Sequence, residues 1–258
     1  MLQEKPKRIV VKMALKLINS LNKDLNEGDR HFVQYIPDRY SSNLKLYKRI
    51  HDFFSYSDLK KWTEGNYKNN SGDITRFFGL NLCIDQLIEE KIEGDVVELG
   101  VYRGNSAWLL AKFARRMKRS CFLFDTFTGF DSRDLRNEED KALNAAFEDT
   151  SLERVRRLVG NEGIVYVKGF FPDSLEQVGE IRDLALVHID CDLESPMAAA
   201  LNYFYPKLKK GGFLIMHDYS SLYWPGAKRA IDGFFKDKIE YILPMPDKSG
   251  TCMIRKIE

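Results

Sequence analysis

Five short apolar runs recur between residues 95 and 221, each closing on a glycine or an acidic residue. They read VVELGVYRG (96–104), SCFLFDTFTGF (120–130), GIVYVKGFFPDSL (163–175), LALVHIDCDL (184–193) and GGFLIMHDYSS (211–221). Their apolar residues are consecutive rather than alternate, which implies burial on both faces and hence a parallel sheet between helices. Helical spacing fills the gaps, over Asn105–Met117 and Met197–Leu208. The pattern predicts an α/β fold with one crevice at the strand C-termini, where open sheets of this kind bind ligands.

Polar residues gather at those predicted strand ends: Glu98, Asp125, Asp190, Asp192, His217 and Asp218. Gly100 and Gly104 follow the first strand and open a helix, whose free N–H groups would face an anionic group. Their G-x-x-x-G spacing is looser than the G-x-G-x-x-G dinucleotide fingerprint. Asp125 lies 25 residues past Gly100, near the offset at which such sheets place a carboxylate against a ribose diol. The alternative for Asp125 is a turn cap, and for Asp192 a helix N-cap. His188, inside an apolar run, reads as a satisfied core histidine.

Taken in order, VVELGVYRGNSA, FDTFTGF, GFFPDSL, HIDCDL, GGFLIMHDY and PGAKRAIDGFF resemble the macrocin-type O-methyltransferases. These are class I S-adenosylmethionine-dependent enzymes that methylate sugar hydroxyls in antibiotic biosynthesis, often with a bound divalent metal. The resemblance runs from about Gly72 to the C-terminus. It implies a seven-stranded, mostly parallel Rossmann-like sheet with helices on both faces and a last antiparallel strand. IEYILPMP (239–246) and GTCMIRKI (250–257) are suited to the final hairpin. It also implies two parts, an N-terminal helical lid extension over 1–71 and the methyltransferase domain over 72–258.

For the cofactor, the resemblance implies that Glu98 orients the glycine loop and that Gly100 and Gly104 allow close approach. Asn105 and Ser106 would donate to the methionine carboxylate, Asp125 would hold the ribose diol, and Gly169 would border the adenine. Asp192 takes the place of the general base. Asp190, His217 and Asp218 end neighbouring strands and are the candidate ligands of Mg²⁺ or another divalent cation. The family's usual pair of aspartates is His217-Asp218 here, and Asp192-Leu193-Glu194-Ser195-Pro196 lacks a tyrosine and is one residue shorter. The implied acceptor is a hydroxyl of a glycosylated or polyhydroxylated small molecule. Two other readings stand beside this one. A catalytically altered subunit would still bind the cofactor, and a nicotinamide-dependent oxidoreductase would need a second glycine that Gly100-Val101-Tyr102 lacks.

Composition adds limits. With 258 residues, 44% hydrophobic and 30% charged, the chain has the make-up of a globular α/β domain with an appendage. No apolar run approaches membrane-spanning length, and the N-terminus lacks a signal-peptide core. Cys83, Cys121, Cys191 and Cys252 show no C-x-x-C spacing and read as reduced thiols, so a cytoplasmic location is expected.

The net charge of +2 conceals an asymmetry, because residues 1–68 hold 14 Lys/Arg against 8 Asp/Glu. Within them, residues 8–21 pattern as a basic amphipathic helix, read as packing on the domain or on a second copy in a homodimer. No basic stripe interleaved with aromatics suggests nucleic acid. Tyr40, Tyr56, Trp62 and Tyr67 are candidates to stack on a sugar or to fill the core. The charged stretch 131–151 is a second candidate lid or a solvated helix.

Overall fold

The computed structural model describes residues 53–54, 56–66, 73–135, 146–248 and 250–258. The basic segment 8–21, Tyr40, Tyr67, residues 136–145 of the 131–151 insertion and residues 67–72 of the boundary expected at 65–72 lie outside the described residues.

In chain order the elements are α1 (Tyr56–Gly65), α2 (Ile74–Glu89), β1 (Asp95–Leu99), α3 (Asn105–Arg116), β2 (Cys121–Asp125), α4 (Leu152–Val159) and β3 (Ile164–Lys168). They continue with β4 (Leu184–Ile189), α5 (Glu194–Phe204), β5 (Leu208–Met216), α6 (Pro225–Phe235), β6 (Leu243–Pro244) and β7 (Cys252–Arg255). The seven strands form one sheet in the order β3-β2-β1-β4-β5-β7-β6. β1 to β5 run parallel, and β7 pairs antiparallel with β5 and with β6. This is the sheet that the resemblance implied, and the strand order reverses beside β1, where a crevice opens.

Every residue of β4 is buried, as its unbroken apolar run requires. On one face α2 and α3 cover Val96, Leu123, Leu186 and Ile215; on the other α5 and α6 cover Val97, Val187, Leu214 and Met216. The expected hairpin forms, but β6 is reduced to Leu243 and Pro244 at the sheet edge, the place where a sheet tolerates proline. α5 starts three residues earlier than its periodicity predicts, because Pro196 falls in its first turn, where no N–H is needed.

Asp73 caps α2: one carboxylate oxygen accepts from the Arg76 amide at 3.2 Å, the other from the Lys248 amide at 3.0 Å. That single side chain ties the helix start to the β6–β7 turn. A cap of this type contributes about 1 kcal/mol. The segment before α2 joins the core rather than the crevice. Leu59 and Phe54 are buried, and the Phe54 amide donates to Asn81 Oδ1 at 3.1 Å.

Candidate functional site

A cleft of about 450 Å³ opens over the C-terminal ends of β1 to β5. Its first half is built from turns. Beyond β1 the chain folds so closely against the end of β4 that a Cβ on Gly100 would lie 1.8 Å from the Asp190 carbonyl oxygen. Gly100 is therefore required by strand-to-strand approach as much as by any ligand. Gly104 (φ 85°) has another task, since its Cβ position faces Val155 and Val159 of α4 and it does not line the cleft. The structure does not bring Gly104 to the cleft where the sequence reading expected it.

Asp125, the last residue of β2, accepts hydrogen bonds from the amides of Val101 (2.7 Å) and Tyr102 (2.8 Å) on one oxygen, and from the Phe127 amide on the other. Burial pushes its carboxyl above the usual carboxylate range, against the pull of those amides. The side chain staples the turn, as the capping alternative has it, and it also lines the cleft. With about four acceptor positions on a carboxylate, one remains for a hydroxyl. Asn105 and Ser106 begin α3 at the cleft wall, and no side chain caps that helix start. Asn105 Oδ1 is buried without a hydrogen-bond partner. Gly169 lines the cleft beyond β3.

The second half is a cluster of ionisable side chains. Parallel register sets Glu98 of β1 opposite His188 of β4, and the Glu98 carboxylate accepts from His188 Nδ1 at 2.9 Å. Glu98 is fully buried and does not line the cleft. On the other side of the imidazole, Arg76 of α2 donates to His188 Nε2 at 3.4 Å and also pairs with Asp190 Oδ2. Those two contacts fix the His188 tautomer with its proton on Nδ1. His188 is the satisfied core histidine that the sequence predicts, and it also links the core to the cleft.

Register places Ile189 beside Met216, so Asp190 and His217 emerge together from β4 and β5. His217 Nδ1 lies 2.7 Å from Asp190 Oδ1 and 2.8 Å from Asp218 Oδ2. The three expected donor atoms converge within 4.8 Å of one another. Asp192 lies at the cleft beside them with φ 59°, and Asp218 has φ 61°. Backbone in that left-handed region, tolerated by aspartate better than by most residues, is typical of constrained sites. Leu193, not Asp192, occupies the N-cap of α5, so the capping alternative for Asp192 is set aside.

The electrostatics separate these carboxyls. Burial, then the neighbouring Asp218 and Asp190, drives the Asp192 carboxyl well above the ordinary range. Asp190 is held far below it: burial opposes the charge, but Arg76 and His217 outweigh that cost. Burial also works against the charge of Arg76, and Asp190, Asp218 and Glu98 more than offset it. For His217, burial and Arg76 resist protonation, yet Asp190 and Asp218 raise it to about 9. All four cysteines are free, and burial pushes each thiol upward, so they are poor nucleophiles.

Several residues escape the sequence reading. Arg76 is one, although it shares the inner stripe of α2 with Leu80, Cys83 and Leu87, where a charge is out of place. Trp224, Phe130 and Phe147 are others. Trp224 lies 5.7 Å from Phe130 and 6.1 Å from Phe147, forming an aromatic group across the cleft mouth. Trp62, a candidate for sugar stacking, instead stacks on Trp108 at 4.0 Å within the packing of α1 on α3. Arg103 pairs with Asp149, at the end of the 131–151 insertion.

The profile of the family described as Macrocin-O-methyltransferase (TylF) matches residues 72–254. The chain is 29% identical over 164 residues to an 8-demethyl-8-(2,3-dimethoxy-alpha-L-rhamnosyl)-tetracenomycin-C 4'-O-methyltransferase of Streptomyces olivaceus, covering 57% of this chain and 61% of that one. It is 29% identical over 174 residues to the demethyldecarbamoylnovobiocin O-methyltransferase of Streptomyces niveus, covering 62% and 65%. The matched region thus spans less than two thirds of the length of these curated relatives. Among solved structures, the O-methyltransferase NovP superposes with a TM-score of 0.63 at 25% identity, covering 72% of this chain and 81% of NovP. Among the described residues no helix is long and apolar enough to cross a membrane. With six motifs in order, the 3-2-1-4-5-7-6 sheet and a family profile matched over 72–254, this chain belongs to the macrocin O-methyltransferase family.

Proposed function

We propose that this protein is an S-adenosylmethionine-dependent O-methyltransferase, and that its acceptor is a hydroxyl of a glycosylated or otherwise polyhydroxylated small molecule. The observation that carries this reading is Asp192, a cleft carboxyl raised by burial and by its neighbours Asp218 and Asp190, beside a turn suited to the cofactor. A base poised nearer neutrality serves a weakly acidic hydroxyl better than an ordinary carboxylate does. The names of the relatives, which act on rhamnosyl and novobiocin-type compounds, support the acceptor class.

The cofactor residues fit their group. The orphaned Asn105 Oδ1 and the uncapped start of α3 suit the amino-acid end, with its ammonium and carboxylate. Asp125 offers its remaining acceptor position to a ribose hydroxyl, and Gly169 leaves room for the adenine edge. When bound, the cofactor supplies an electrophilic sulfonium methyl group.

Asp192 would take the proton of the acceptor hydroxyl, which would leave the oxygen free to attack the methyl group that the bound cofactor would supply. Arg76 holds Asp190 in place from α2, while Glu98 and His188 hold Arg76. Trp224, Phe130 and Phe147, their rings edge-on or tilted to one another, form an apolar aromatic wall of the cleft for the acceptor. Sugar rings pack on such surfaces through their apolar faces, which also helps to exclude water. The free thiols, three of them buried, suit a cytosolic enzyme.

Calorimetric titration with S-adenosylhomocysteine tests the reading. One-to-one binding that weakens in Asp125→Ala is expected, and a folded protein that binds none would overturn it. Asp190→Ala should keep that binding and lose turnover on a panel of deoxysugar glycosides, read as release of S-adenosylhomocysteine.

A further inference from the structure

The carboxylate cluster at the ends of β4 and β5 carries its own cations. Asp190 spends one oxygen on the Arg76 guanidinium and the other on His217 Nδ1 at 2.7 Å. Asp218 Oδ2 faces the same Nδ1 at 2.8 Å. A carboxylate oxygen only accepts hydrogen bonds, so a ring nitrogen this close to two of them bears a proton there. A protonated Nδ1 has no lone pair to give a metal.

Asp190 therefore keeps no oxygen free of an N–H partner. The donor chemistry is also poor for a hard ion, since Mg²⁺ and Ca²⁺ favour oxygen ligands and a nitrogen stands at one of three positions. The family's divalent ion therefore does not fit the residues as they stand, although their atoms converge.

We propose that Arg76 and His217 occupy, in this chain, the place of the divalent cation of the macrocin-type enzymes, so that the cluster is neutralised by side chains and takes up no metal. Resting on the methyltransferase reading, the Arg76 guanidinium supplies the positive charge beside the acceptor oxygen. The chemistry balances without a metal: the hydroxyl proton passes to Asp192, the C–O bond forms, and the sulfonium leaves as a neutral thioether.

The test is Mn²⁺ titration followed by electron paramagnetic resonance, on chelator-treated protein and on His217→Asp. The wild type should bind no Mn²⁺ at millimolar concentration, whereas His217→Asp should gain affinity by about 10- to 100-fold, the range over which a metal-site change acts. Stoichiometric Mn²⁺ on the wild type that is lost in Asp190→Asn would overturn the proposal. A folded His217→Asp that gains nothing would overturn it too, because the imidazole would then not be what keeps metal out. Circular dichroism establishes folding of each variant. Failure of the methyltransferase reading is separately visible as absent S-adenosylhomocysteine binding, and the Mn²⁺ result does not depend on it.

Discussion

On the β1–β2–β3 side of the crevice, one carboxylate is held by three backbone amides; on the β4–β5 side, ionisable side chains hold one another. Asp125 meets Val101, Tyr102 and Phe127 through their main chain, so its surroundings are fixed by the turn. Asp190 meets Arg76 and His217, which come from a helix and another strand. Backbone donors cannot be titrated or substituted away, and they suit a cofactor whose shape does not vary. Side-chain charges can be retuned one at a time, and a change of one partner shifts the rest.

The largest effect should come from Asp192→Asn, which removes the proposed base. Turnover should fall by about 10²- to 10⁴-fold while S-adenosylhomocysteine affinity stays near the wild-type value. Single-turnover assays with calorimetry check this; equal loss of both would make the two halves one unit. Wild-type turnover should also rise with pH as the raised Asp192 carboxyl gives up its proton, a rise that the variant should lack.

Asp125→Ala should act on the opposite half. Loss of its charged hydrogen bonds should weaken cofactor binding by about 1–3 kcal/mol, and the melting temperature should drop because three amides lose their acceptor. Unchanged cofactor affinity would leave Asp125 as a staple alone.

A third expectation concerns pH and stability in the charged half. His217 is raised from 6.5 to about 9, so its contribution is full below pH 6.5 and is lost as pH rises through about 9. Asp190 is depressed, so its contribution is present above 3.8 and lost as pH falls through its lower native value. Melting curves of wild type and His217→Gln should differ most at pH 6 and converge towards pH 9.5. A constant gap would disconnect His217 from the carboxylates.

Smaller changes lie at the rim and behind the site. Trp224→Ala should raise the acceptor KM by a few-fold, about the 0.5–1.5 kcal/mol of an aromatic contact, with little change in kcat. Asp73→Ala should cost about 1 kcal/mol of stability, read by denaturant unfolding, and leave the cofactor half intact.

Legibility differs between the halves in the same way. Consecutive apolar residues sufficed to place β1 to β5 within a few residues, since a strand buried on both faces has little other choice. Glycines and acids at their ends marked the crevice. No local pattern pairs Arg103 with Asp149, and Trp62 reads equally as ligand or core until Trp108 is found beside it. Phe130 and Phe147 come from the β2–α4 connection and Trp224 from the β5–α6 connection, and no local spacing announces their meeting.

By itself, then, the sequence determined the strands, the sheet class, the glycine turn and the set of acidic strand ends, because each follows from local periodicity and backbone sterics. Only the tertiary structure decided what those ends do. It turned Glu98 inward to His188, set Gly104 against α4 and brought Arg76 from α2 onto Asp190. The physical reason is that charge interactions depend on distance and burial, which residues 114 positions apart in the chain acquire only when the helix closes over the sheet.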